Sequence, residues 1–65
     1  MTRLEQMKEI VANHQAVKID GMWVDVSSAH VYVTVYNALN ETNQARLGAT
    51  DLYKAMQIVW DLSVR

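Results

Sequence analysis

The sequence predicts an all-α fold, a small antiparallel bundle of three main helices plus a short fourth. Three observations predict it. Within Val24–Asn40, Ala29, Tyr32, Val33, Tyr36 and Leu39 recur at the spacing of one helical face. Thr2 with Glu5, and Asp25 with Ser27 and Ser28, stand where helices need side chains to accept from their first free N–H groups. Leu52, Ala55, Met56, Val59 and Leu62 form a third apolar stripe at i, i+3, i+4 spacing.

The chain has 65 residues, enough for a single domain over residues 1–65. Small domains usually need a staple, and with no cysteine there is neither a disulfide nor a thiolate metal site. Helix packing or self-association must serve instead. A 51% hydrophobic fraction with two Trp and three Tyr points toward an apolar patch that closes by homodimerisation.

The net charge is −1, and the basic residues Arg3, Lys8, Lys18, Arg46, Lys54 and Arg65 are scattered. No cluster tracks a phosphate backbone, which argues against nucleic-acid binding. No apolar run approaches the roughly 20 residues that span a bilayer. The N-terminus lacks the apolar core of a signal peptide, so a soluble cytoplasmic protein is expected.

The first helix opens at the Thr2–Glu5 capping box and is expected to run to Gln15 or Ala16. Leu4, Met7, Val11 and His14 line its apolar face, with Ile10 beside them. An Asp20-Gly21 turn then joins the first two main helices, because glycine accepts the positive φ of tight turns. Ile19 and Val24 flank the turn and could form a two-rung β-bridge. Trp23 is expected to lid the core.

The central segment admits a second reading. Val31, Val33 and Val35 alternate with Tyr32, Thr34 and Tyr36, as in a strand. Helical spacing nevertheless persists to Leu39, and no second long alternating segment exists to pair with it. A helix over 26–39 is therefore expected. Beyond it, Asn40 caps a short helix that Gly48 ends in a left-handed conformation, and Thr50 caps the last helix. Lys54, Gln57 and Asp61 form that helix's wet face, while Tyr53 and Trp60 share an intermediate one.

The blocks Asn13-His14-Gln15-Ala16, Lys18-Ile19-Asp20-Gly21, Val24-Asp25 with Ser28-Ala29, and Val35-Tyr36-Asn37-Ala38-Leu39-Asn40 resemble a group of small uncharacterised proteins encoded by phages of actinobacteria, mycobacteriophages especially. The resemblance extends from Leu4 to Leu62 and contains no catalytic signature. It implies a phage origin, a setting in the host cytoplasm and a central helix, and it implies no reaction.

Candidate sites divide by chemistry. His14 and His30 lie on separate elements, so a metal or proton-transfer pair is disfavoured against surface histidines. Asp20 and Asp25 suit a turn and a cap better than paired acid–base carboxylates. Ser27 and Ser28 lack a nucleophile elbow and are explained by capping. No catalytic, cofactor-binding or metal residue is assigned, and no small-molecule substrate is evident. His30, Thr34, Asn37 and Glu41 form a polar stripe, a solvated ridge or a recognition face. Trp23, Tyr53 and Trp60 are the candidate partner-binding anchors, joined by His30, Thr34 and Asn37. The expected function is a non-enzymatic protein-binding module, a phage accessory factor that also self-associates. The alternative is a nucleic-acid-associated regulator using the second and third helices as a helix-turn-helix-like pair, which the outer-face charge does not favour.

Overall fold

The order of elements follows from where the chain can cap a helix and where it must turn. The computed structural model describes residues 1–64. It contains α1 (Arg3–Asn13), β1 (Val17–Ile19), β2 (Met22–Val24), α2 (Val26–Ala38), α3 (Glu41–Ala49) and α4 (Leu52–Ser63). The protein is thus mostly helical but not purely all-α, since β1 and β2 pair as a small antiparallel sheet.

Helix α1 begins as expected: Glu5 N–H donates to Thr2 Oγ1 at 3.2 Å, and Thr2 N–H donates to Glu5 Oε1 at 3.1 Å. The bonds that Thr2 N–H and Thr2 Oγ1 donate to Glu5 Oε1 favour the charged form and hold the Glu5 carboxyl below its usual range. The helix stops at Asn13, short of the expected Gln15. His14 turns left-handed (φ 51°, ψ 42°), and Gln15 N–H donates back to the Ile10 carbonyl while His14 N–H donates to that of Val11. This is a Schellman ending, and it carries His14 off the apolar face and into solvent.

Asp20 (φ 49°) and Gly21 (φ 79°) both take positive φ, which makes a two-residue hairpin turn of type I′. Such a turn fixes register: Ile19 pairs with Met22, Lys18 with Trp23 and Val17 with Val24. There are three rungs, and Ile19 and Val24 are not partners of one another. Because side chains alternate across a strand, Ile19 and Val24 enter the core together and Trp23 must face away. Trp23 is 69% exposed, so it does not lid the core.

Asp25 caps α2, its Oδ1 accepting from Ser28 N–H at 2.7 Å. That bond holds the Asp25 carboxyl below its usual range. The helical reading of this segment is correct despite the β-branched run. Ala29, Tyr32 and Val35 are buried, while Val31, Val33 and Tyr36 pack partly against the core. Propensity yields here because α2 is the hub: α1, α3 and α4 all pack on it, and burying a wide apolar surface outweighs the few tenths of a kcal/mol that a β-branched residue typically costs in a helix.

Asn40 caps α3, as expected, by accepting from Asn43 N–H at 2.9 Å. Gly48, however, lies inside α3 rather than ending it, and its φ is not positive. Thr50 closes α3, its N–H donating to the carbonyls of Arg46 and Leu47 and its hydroxyl to that of Arg46. The cap of α4 is Asp51 rather than Thr50, with Oδ2 accepting from Lys54 N–H at 3.2 Å. Leu52, Ala55, Met56 and Val59 meet α2, but Leu62 is partly exposed. The core thus joins Met7 and Ile10 of α1, Ile19 and Val24 of the hairpin, the α2 stripe, Leu47 and the α4 stripe.

Candidate interaction surface

Helix α4 packs extensively on α2 alone, so only one side of it is consumed by the core. Tyr53 is 62% exposed and Trp60 42% exposed, and the C-cap residue Val64 is 77% exposed. Gln57 is exposed between them. These four residues follow at spacings of four, three and four, which places them in one line along the helix. Ile58 and Leu62 are exposed on the other flank. Lys54, Gln57, Ile58, Trp60 and Asp61 line a shallow depression of about 700 Å³ on the outer surface of α4. Ile58 and Leu62 also form one wall of an apolar groove of about 360 Å³ against Leu39, Leu47 and neighbours on α3.

Trp23 stands apart from this helix, on the outer face of the hairpin beside its cross-strand partner Lys18. His30, Thr34 and Asn37 are all exposed and occupy one line of α2, opposite Ala29, Tyr32 and Val35. That geometry makes them the solvent ridge of a buried helix. Glu41 belongs to α3, beyond the break at Leu39 and Asn40, so the ridge ends at Asn37.

A third feature was not legible from the sequence. Thr2, Arg3, Leu4, Tyr32, Tyr36, Gln44, Ala45 and Gly48 line a cleft of about 490 Å³ where α1, α2 and α3 meet. Arg3 Nη1 donates to the carbonyls of Leu47 (3.1 Å) and Thr50 (2.6 Å), and Gln44 Nε2 donates to the Tyr36 carbonyl at 2.9 Å. The rings of Tyr32 and Tyr36 stack with centroids 6.3 Å apart. The Tyr32 hydroxyl is buried with no hydrogen-bond partner among the described residues. Burial pushes its pKa up, and the guanidinium of nearby Arg3, through its donor groups first and its charge second, only partly offsets this. Arg3 is close enough to act electrostatically, but the bonds it makes go to the α3 carbonyls.

The remaining polar candidates serve local structure. Asp20 sits in the turn and Asp25 caps α2. His14 ends α1, and His30 lies on the α2 ridge. Among the described residues, no group of three His, Cys, Asp or Glu side chains is placed to hold a metal ion. No helix among them is long and apolar enough to cross a membrane. No family model, curated protein or solved structure matches the chain.

The sequence did carry a signal for the larger extent of the α4 surface. Tyr53, Gln57, Trp60 and Val64 repeat as a seam of their own beside the core stripe. Reading Tyr53 and Trp60 as a pair finds its first and third members and misses Gln57 and Val64.

Proposed function

We propose that this chain, an antiparallel helical bundle with an appended hairpin, is a small phage accessory protein that works as a non-enzymatic protein-binding module in the host cytoplasm. The observation that carries the reading is the exposure of large aromatic side chains on rigid elements: Trp23 on the hairpin, Tyr53 and Trp60 on α4. Exposing such side chains costs the monomer burial that each would otherwise gain, and aromatic anchors dominate the energy of protein interfaces. The resemblance to actinobacteriophage proteins supports the setting. Asp20, Asp25 and Thr2 serve a turn and two caps, which suits a structural scaffold for such a surface.

The test is affinity capture from host lysate with wild type, Trp23→Ala, Tyr53→Ala and Trp60→Ala, followed by reconstitution with the purified companion. Truncating an anchor should weaken the reconstituted complex by about tenfold or more. A complex indifferent to all three variants overturns the reading. The nucleic-acid alternative has little support in charge, because each helix that follows α2 exposes one cation, Arg46 on α3 and Lys54 on α4, with an acidic residue, Glu41 or Asp61, on the same helix. A salt-dependent mobility shift with random duplex DNA would revive it.

A further inference from the structure

We infer that α4 pairs with α4 of a second copy of this chain, antiparallel, about a two-fold axis near Gln57 and Ile58. The inference rests on the reading of α4 as a docking surface and names its occupant. Tyr53, Gln57, Trp60 and Val64 have the 4-3-4 spacing of a coiled-coil seam, and this seam lies beside the stripe that α2 covers. One polar residue, Gln57, interrupts it.

Charge selects the occupant. Lys54 and Asp61 each follow a seam aromatic directly, Tyr53 and Trp60 respectively, so both lie on the same flank of the seam, seven residues apart and opposite in sign. A two-fold axis perpendicular to two antiparallel helices brings like flanks face to face. A parallel pair instead sets each flank against the opposite one, where this helix has Met56 and Ser63 and no charge. Only the antiparallel arrangement places Lys54 against Asp61 of the partner subunit, and symmetry makes that contact twice. The midpoint of Lys54 and Asp61 falls between Gln57 and Ile58, and that of the seam falls one residue further on, a mismatch of about 1.5 Å along the axis. The charges and the apolar seam therefore share one centre. Asp61 is already engaged within its own chain, but a carboxylate can accept from several donors. In this pairing Trp60 also comes within reach of Lys54 of the partner subunit, a cation against an aromatic face.

Light scattering coupled to size exclusion, run on the full chain over a concentration series, reads the outcome. Wild type should approach twice 7.4 kDa as concentration rises. Trp60→Ala should weaken dimerisation by about a hundredfold. Lys54→Glu or Asp61→Lys alone should weaken it by about tenfold, since each reverses two contacts. Mixing these two single variants should restore it, because in the heterodimer Glu at 54 meets Lys at 61 and the native Asp61 meets the native Lys54. All these positions are exposed, and an unchanged far-UV circular dichroism spectrum confirms that each variant is folded. A wild type that stays monomeric near millimolar concentration, or a mixture no tighter than its components, overturns the pairing. Such a result leaves the docking surface standing if Trp60→Ala still weakens the complex with a host companion. A dimer whose host complex ignores all the aromatic variants upholds the pairing while the accessory reading fails.

Discussion

Arg3 donates from its guanidinium to the carbonyl of Thr50 at 2.6 Å, which ties the first turn of α1 to the end of α3 across 47 positions of sequence. With the second bond to Leu47, one side chain satisfies two carbonyls at a helix terminus. A cation there also meets the negative end of the α3 dipole. Helix α3 contributes only Leu47 to the buried core, so this clamp is a large part of what fastens it. Arg3→Ala should destabilise the protein by about 2 kcal/mol. Hydrogen exchange should show the loss of protection concentrated in α3.

The orphaned hydroxyl of Tyr32 makes the opposite prediction. A buried polar group without a partner costs about 1–3 kcal/mol, and Phe keeps the ring and its stacking on Tyr36. Tyr32→Phe should therefore raise the urea midpoint or leave it unchanged. A loss exceeding about 1 kcal/mol would show that the hydroxyl has a partner.

Alkaline pH tests the same group. Its folded pKa lies above the ordinary 10.0 because burial disfavours the phenolate. The contribution to stability is complete below the unfolded pKa and is lost as pH rises from there through the folded value. Wild type should lose more stability above pH 10.0 than Tyr32→Phe does. Parallel urea titrations of the two proteins would measure the difference.

The two glycines should respond oppositely to alanine. At Gly48, a Cβ would meet nothing within 4 Å and φ is not positive, so Gly48→Ala should stabilise α3 by about 1 kcal/mol. Gly21 also has open space, but its φ of 79° is the type I′ requirement. Gly21→Ala should cost about 1–2 kcal/mol. Thermal melts of both variants would compare them directly.

At acid pH, Asp25 loses a contribution that Asn would retain. Its folded pKa lies below the ordinary 3.8 because the carboxylate accepts from Ser28 N–H. That stability is present above the unfolded value and disappears as pH falls through the folded one. Asp25→Asn keeps a good cap without the titration. The variant should show a shallower fall in stability below pH 3.8, measured by urea midpoints at successive pH values.

Much of this fold was legible because its signals are local. The Thr2 box, the Asp25 and Asn40 caps, the Asp-Gly turn and the α4 stripe all act within a few residues. The outward turn of Trp23 was recoverable too, since a two-residue turn at Asp20 and Gly21 sets Lys18 opposite Trp23. Side-chain size suggested burial, and strand parity decided otherwise. The Arg3 clamp and the sealed Tyr32 hydroxyl were beyond reach, because they depend on residues tens of positions apart. Gly48 was misplaced because glycine inside a helix and glycine ending one look alike in a string of letters.

The hub position of α2 also limits how this chain can be divided. Its neighbours lean on it far more than on one another, and α4, which follows it in the chain, covers one of its sides. A polypeptide ending near Asn40 would leave bare the side of α2 that α4 covers. Protection of that side from proteases and aggregation comes only when α4 closes over it.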